Sequence, residues 1–122
     1  MSSIKTVDKW FSEYIRKRDT QSGAVRCPTC GGVITYETSD AGHFISRRFM
    51  NTRWNEKNVH AQCRKCNRFQ YGNQYEFGLF IDSKYGKGEA EKLLFLSKLE
   101  YKPMPHELKE IAKYFRQKIK EL

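Results

Sequence analysis

The fold of this 122-residue chain depends on two short stretches of sequence, CPTCGG at residues 27–32 and CRKC at residues 63–66. Each stretch holds two cysteines separated by two residues, and 32 residues lie between the two cysteine pairs. A tetrahedral zinc ion takes four ligands, and two CxxC pairs supply them from two tight turns. The spacing therefore predicts one structural zinc held by Cys27, Cys30, Cys63 and Cys66.

Two states are alternatives to zinc binding: the four cysteines could be free thiols, or they could form two disulfides. The first residues, MSSIKTVDKWF, lack the apolar stretch of a secretory signal, and no apolar run approaches the roughly 18 residues of a transmembrane helix. We therefore expect a cytoplasmic protein, in which thiols stay reduced and metal binding is favoured over disulfides. A shell of four cysteines leaves zinc no open position, so its predicted role is structural.

The chain is basic, with 23 Lys and Arg residues against 14 Asp and Glu residues and a formal net charge of +9. The excess is concentrated at residues 41–72, which carry seven basic residues and one acid, Glu56. Such a distribution favours a polyanion as partner, although Arg47 and Arg48 have a solvated surface as their alternative. The candidate nucleic-acid contacts are Arg47, Arg48, Arg53, Arg64, Lys65 and Arg68.

Hydrophobic periodicity predicts four helices. The first covers residues 6–18, with Thr6 as its N-cap. Two more cover residues 73–86 and 89–99, and the last follows the helix-breaking KPMP stretch at 102–105.

The sequence between the cysteine pairs favours strands. Residues 33–36 and 42–46 contain β-branched and aromatic side chains, and we expect these two strands to pair with each other. Residues 47–57 are polar and lack a clear period, which predicts a loop. Residues 58–67 then form the second cysteine turn and lead into a helix.

Several polar residues near the cysteines have the chemistry that phosphodiester hydrolysis needs. A neutral imidazole such as that of His43 suits deprotonation of water at cellular pH. Oxygen ligands from Asn and Asp suit a hard divalent cation that neutralises the phosphate. Taken singly, His43 also fits a hydrogen-bonded strand residue, and Asn67 fits a helix cap.

Read in order, the motifs CPTC, AGHFISRR and NVHAQCRKCN resemble those of the His-Asn-His (HNH) ββα-metal nucleases that carry a four-cysteine zinc. The arrangement is most similar to the phage NinG (Rap) recombination proteins. It is also similar to phage recombination endonuclease VII, in which an Asn likewise follows the last zinc cysteine. The resemblance covers residues 8–86 of this chain.

The resemblance implies an α+β fold whose centre is a small, zinc-pinned ββα-metal core at residues 23–86. An N-terminal helix at 1–22 and a helical extension at 87–122 would flank this core. It also implies site roles: His43 is the general base, Asn58 holds the loop that carries the base, and Asn67 binds a catalytic Mg²⁺ or Mn²⁺.

Position 42 departs from the family pattern. Many HNH nucleases carry an acid or a His directly before the base as a metal ligand, and here that position is Gly42. Asp40 or His60 would then take over this ligand position, or His43 itself would touch the ion.

The expected function is a metal-dependent DNA endonuclease that leaves 5′-phosphate and 3′-hydroxyl ends. The resemblance implies branched recombination intermediates as substrate, a phage origin with activity in the host cytoplasm, and a homodimer on two-fold symmetric DNA. Two alternatives stay open: a non-catalytic, zinc-stabilised nucleic-acid-binding module, and a zinc scaffold for protein–protein contacts.

Overall fold

The structure, a computed structural model, describes residues 3–122 as an α+β protein. Its helices are α1 (Ile4–Asp19), α2 (Met50–Arg53), α3 (Gln74–Tyr85), α4 (Glu89–Ser97) and α5 (Pro105–Lys120). Its strands are β1 (Val25–Arg26), β2 (Val33–Ile34), β3 (Ser39–His43) and β4 (Val59–Cys63), and a π-helical turn covers Lys65–Phe69. None of the described helices is long and apolar enough to cross a membrane.

The four predicted helices are present, with a different start for the first. Ser3, not Thr6, is the N-cap of α1, because the Ser3 side chain accepts a hydrogen bond of 3.1 Å from the Thr6 backbone N–H. Ile4 lies three residues before Val7 on the same helical stripe, and α1 begins there, two residues earlier than predicted. The expected loop at 47–57 also contains the short helix α2.

The predicted pairing of the two strands between the cysteine pairs is wrong. β2 pairs with β1 in a short ribbon that frames the first cysteine turn. β3 pairs instead with β4 in antiparallel register, from Ser39 opposite Cys63 to His43 opposite Val59. β4 carries Val59 and Ala61, and the burial of these two side chains stabilises the pairing of β3 with β4. The predicted pairing of β2 with β3 would rely on the polar hairpin at 37–40, which would stabilise it less.

The β3–β4 ribbon lies between two groups of helices. On one face α1 and α5 pack together around Phe11, Tyr14, Ile15, Val59 and Phe115. On the other, α3 and α4 pack around Ile45, Phe77, Ile81 and Leu93. The first and last described helices therefore share a hydrophobic core with the strand that leads into the second cysteine pair, and this core supports the end of β3 that carries His43.

Candidate functional site

The fold brings the four cysteines together. Their sulfur atoms all lie within 4.8 Å of one another, and the Sγ atoms of Cys30 and Cys63 are 3.7 Å apart. Four sulfurs around one zinc at about 2.3 Å would be separated by about 3.8 Å. All four cysteines are free thiols rather than disulfides. The cluster therefore fits a tetrahedral zinc ion and can hold one.

The electrostatics of the cluster also fit a cation. Burial and the neighbouring thiols raise the pKa of Cys63 to about 12. Cys27 is buried too, which by itself raises its pKa, but hydrogen bonds from the Cys63 backbone and from Thr29 bring that pKa down to about 6. A cation among the four sulfurs would stabilise their thiolate forms, which is the state that zinc ligation requires.

A cleft of about 720 Å³ opens beside the cluster, between α1, β3 and the segment that follows β4. It brings together six of the residues singled out from the sequence: Asp40, His43, Arg47, Arg64, Asn67 and Arg68. His43 comes from the end of β3, whereas Asn67 comes from the π-helical turn directly after the last cysteine. The two halves of the cleft therefore come from β3 and from the segment that follows the last cysteine.

His43 is held in one tautomer. Its Nε2 lies 2.9 Å from the backbone oxygen of Arg53, and a carbonyl oxygen only accepts, so Nε2 carries the hydrogen and Nδ1 keeps a lone pair. Burial lowers the pKa of His43 to about 4, despite the opposing effect of this hydrogen bond. The ring is therefore neutral at pH 7 and can accept a proton at Nδ1.

Arg53 supports His43 rather than facing the cleft. Its guanidinium binds both oxygens of Asp8, at 3.0 and 2.5 Å, and its side chain is 16% exposed. Trp54 Nε1 donates to the same carboxylate at 2.9 Å. The predicted role of Arg53 as a nucleic-acid contact is corrected accordingly: this arginine fixes the carbonyl that orients His43. Sequence analysis did not identify Asp8 as a partner of Arg53 and Trp54, because acids are common near the start of helices and its sequence position shows no partner.

Asp40 and Asn67 are neighbours in the cleft. Asn67 Nδ2 donates to Asp40 Oδ2 at 3.0 Å, and no described residue donates to the Asn67 side-chain oxygen. Arg68 binds both Asp40 oxygens at 2.9 and 3.0 Å. Asp40 is partly buried, but Arg68 and Asn67 outweigh the burial and hold the pKa of its carboxyl below its usual value. A carboxylate and a side-chain amide, whose oxygens are of the kind that hard divalent cations prefer, thus come from neighbouring residues of the cleft.

Asn58 is fully buried and holds the loop that follows β3. Its Oδ1 accepts from the Ile45 backbone N–H at 2.8 Å, and its Nδ2 donates to the backbone oxygens of Ile45 and Thr52 at 3.1 and 3.0 Å. Asn58 thus connects the residues after β3 to the end of α2. It is not among the residues that line the cleft, so its side chain holds the backbone rather than a ligand.

His60 does not join the cleft, so it cannot be the substitute ligand considered for position 42. In the β3–β4 ribbon it lies opposite Gly42, and its neighbour Val59 lies opposite His43, so the two imidazoles point to opposite faces. His60 is 2% exposed, and its ring packs on those of Phe80 and Tyr85 in α3. Its Nε2 lies 3.0 Å from the Lys57 backbone oxygen.

The other basic candidates divide into two groups. Arg47, Arg64 and Arg68 line the cleft, whereas Arg48 and Lys65 are exposed outside its lining. Sequence analysis missed Arg16 of α1, which lines the cleft with its guanidinium 4.1 Å from the centre of the Tyr36 ring. Ser12 and Arg16 are four residues apart, so they lie on the same face of α1. This spacing was the feature of the sequence that could have indicated a polar helix face.

A family model described as Bacteriophage Lambda NinG protein matches residues 2–122. This chain belongs to the NinG family. The match confirms the NinG resemblance that the cysteine, AGHF and NVHAQC motifs carry, and extends it over the C-terminal helices. No solved structure matches the chain.

Curated NinG proteins of several phages are similar to this chain. It is 29% identical over 120 residues to protein ninG of Escherichia phage lambda, covering 98% of this chain and 56% of that protein. It is 27% identical over 120 residues to protein ninG of Salmonella phage P22, covering 98% and 57%. The chain thus spans a little over half the length of these NinG relatives.

Proposed function

We propose that this chain is a metal-dependent DNA endonuclease of the HNH class, which hydrolyses phosphodiester bonds. The observation that carries the proposal is the presence of His43, Asp40 and Asn67 in one basic cleft. A neutral base, two oxygen donors and several arginines are the groups that this hydrolysis needs. The HNH resemblance gives His43 the role of general base and Asn67 the role of metal ligand, and Asp40 is one of the residues considered as the substitute for the ligand missing at position 42.

His43 is the proposed general base. Its Nδ1 accepts the proton of the attacking water, while Nε2–H stays bound to the Arg53 carbonyl and keeps the ring from turning. Asp8 fixes the Arg53 side chain and thereby the segment that presents this carbonyl. A base with a lowered pKa is weaker than free imidazole, but it is fully available at neutral pH.

The donor set of the cleft suits Mg²⁺ or Mn²⁺. Asp40 contributes a carboxylate that is ionised at neutral pH, and Asn67 contributes an amide oxygen. A divalent ion held by these two residues would supply charge neutralisation at the scissile phosphate and at the departing 3′ oxygen. Arg68 must release part of its hold on Asp40 for the carboxylate to serve as a ligand.

The arginines of the cleft suit the neighbouring phosphates. Arg47 and Arg64 are largely exposed, with side chains 60% and 46% accessible, and guanidinium groups bind phosphate oxygens in pairs. The zinc cluster has a separate, structural role, since it holds the two segments that carry the site. Branched DNA as substrate, 5′-phosphate and 3′-hydroxyl products, and a homodimer remain part of the proposal through the family resemblance.

Nicking of supercoiled plasmid tests the proposal. The unaltered protein should convert plasmid to the open circle with Mg²⁺ or Mn²⁺, and His43→Ala should reduce the rate by roughly 100-fold or more. His106→Ala is the matched control, because His106 is exposed at the start of α5 outside the cleft lining. Bound zinc and DNA affinity are measured for each variant, so that loss of catalysis is separated from loss of fold.

A non-catalytic, zinc-stabilised nucleic-acid-binding module is the second candidate. It is favoured by one observation: Arg68, Arg64 and Asn67 already surround the Asp40 carboxylate that would hold the ion. In this case DNA binds with a strong salt dependence, but the unaltered protein and His43→Ala both leave the plasmid intact. Cleavage that depends on His43 would exclude this candidate.

A further inference from the structure

Three aromatic rings project into solvent around the segment that follows the last cysteine. Phe69, Tyr71 and Tyr75 are 79%, 92% and 76% exposed, and we call them the aromatic platform. They belong to the end of the π-helical turn, the loop after it and the first turn of α3. Three large aromatic side chains this exposed within one short stretch of a folded chain point to a binding surface.

The backbone holds Tyr71 in an unfavourable conformation. Tyr71, Gly72 and Asn73 have φ angles of 52°, 80° and 50°, in the left-handed region that favours glycine. The Tyr71 ring gains almost no burial that would offset this strain, because it is 92% exposed. A strained residue that contributes little packing points to a role in function rather than in stability.

The loop is nonetheless firmly attached to the site. The Gly72 N–H donates to the Cys66 backbone oxygen at 2.9 Å, and the buried Gln62 Nε2 donates to the Gly72 oxygen at 2.9 Å. Tyr71 itself lines the cleft together with His43 and Asn67. The ring is therefore held beside the proposed scissile position rather than on a free loop.

The surroundings of the platform are cationic. Arg64, Lys65 and Arg68 lie on the same segment and are exposed. Flat aromatic faces next to guanidinium and ammonium groups suit a ligand with flat rings and regular negative charges. Single-stranded nucleic acid is such a ligand, because its bases stack on aromatic side chains while its phosphates pair with basic ones. In a fully paired duplex the base faces are already stacked.

We infer that the aromatic platform stacks on unpaired bases next to the cleft, and so selects substrates in which a single-stranded segment adjoins duplex. This inference rests on the proposed function, because it names the kind of DNA that the cleft receives. Tyr71 is a specificity-determining residue in this account, and Arg64, Lys65 and Arg68 hold the adjoining phosphates.

The test compares binding to two DNAs of equal length by fluorescence anisotropy, without added Mg²⁺ or Mn²⁺. One is a fully paired duplex, and the other carries a short single-stranded gap. The unaltered protein should prefer the gapped DNA, and Tyr71→Gly should lose roughly ten-fold in affinity for it while changing little for the paired duplex. Tyr71→Trp should keep the preference.

Tyr71→Gly also separates function from fold, because glycine adopts positive φ without strain and should leave thermal stability equal or higher. Phe95→Ala is the matched control, since Phe95 is a 64% exposed aromatic residue on α4 outside the cleft. An unchanged preference in Tyr71→Gly, or no preference in the unaltered protein, would overturn the inference. Neither result depends on cleavage, so a failed nicking assay would refute the proposed function and leave this binding comparison intact.

Discussion

Gly42 and Gln62 pack against each other so closely that residue 42 has no room for a side chain. A Cβ at position 42 would overlap Gln62 Oε1 and would lie 2.9 Å from Gln62 Cβ. Gln62 is fully buried, and its Nε2 donates to Thr29 in the first cysteine turn and to Gly72 in the loop before α3. Gly42, the residue that departs from the HNH pattern, thus lies against Gln62, whose hydrogen bonds connect β4 to the first cysteine turn and to the loop before α3.

Gly42→Ala should therefore destabilise the protein by about 1–3 kcal/mol, as expected for overpacking in a close-packed interior. Urea unfolding measures this loss. The double variant Gly42→Ala, Gln62→Ala should lose less than the sum of the two single variants, because the second substitution removes the overlap. Strict additivity of the two losses would show that the close packing does not constrain residue 42.

Asn58→Ala should cost about 2–4 kcal/mol of unfolding free energy, because it leaves the buried Ile45 N–H and the Ile45 backbone oxygen without the partner that Asn58 supplies and removes one hydrogen bond to the Thr52 oxygen. Asn55→Ala is the control, since the Asn55 side chain accepts one hydrogen bond, from the Lys57 N–H at an exposed position. Urea unfolding of both variants should give a clearly larger loss for Asn58. Equal losses would mean that the Asn58 amide does not hold the loop.

The stability of the protein should fall as the pH drops below about 6.5. Burial lowers the pKa of His43 from 6.5 to about 4 in the folded state, so only the unfolded chain binds this proton between those values. Its contribution, roughly 3 kcal/mol, is fully present above pH 6.5 and is lost as the pH falls to 4. Burial lowers the pKa of His60 as well, which adds to the loss.

Urea unfolding of His43→Gln between pH 7 and pH 5 checks this sign. The carboxyls of Asp8 and Asp40 have lowered pKa values and stay ionised over this range. The variant should show a shallower loss of stability with falling pH than the unaltered protein does. An identical slope in both proteins would contradict the buried, neutral His43.

Local sequence patterns were sufficient for the four longer helices, apart from the first residues of α1, and for the cysteine cluster. The apolar stripe of α1 through Val7, Phe11 and Ile15 recurs at helical spacing, and the doubled CxxC motif is highly specific for a four-cysteine metal site. The helical stripe is a local pattern, and the CxxC motif depends on the tetrahedral geometry of zinc, which is known in advance. The shared cleft of His43 and Asn67 followed from the family resemblance and not from periodicity.

Strand pairing and side-chain partners could not be predicted from local sequence patterns. β3 has the sequence SDAGH, which is weak as a strand, and it forms because β4 pairs with it across a separation of about twenty residues. The ion pair of Asp8 with Arg53 joins residues 45 positions apart. Charge counting placed Arg53 among the nucleic-acid contacts, because the count contains no information about which arginine already has a partner.

Zinc removal should unfold the segment that carries both halves of the site. Metal analysis should give about one zinc per chain, and a strong chelator should lower the melting temperature and abolish DNA binding. Added Zn²⁺ should restore both properties, whereas added Mg²⁺ is the control and should restore neither. A zinc content near zero in a folded, DNA-binding protein would remove the structural role of the cluster.

Chemical rescue of His43→Ala tests the central claim most directly. The rate of plasmid nicking is measured for the unaltered protein and for His43→Ala, with and without added imidazole. If His43 is the general base, the variant should lose roughly 100-fold or more in rate, and free imidazole should restore part of it in proportion to its concentration. Nicking by His43→Ala at the unaltered rate would contradict the account.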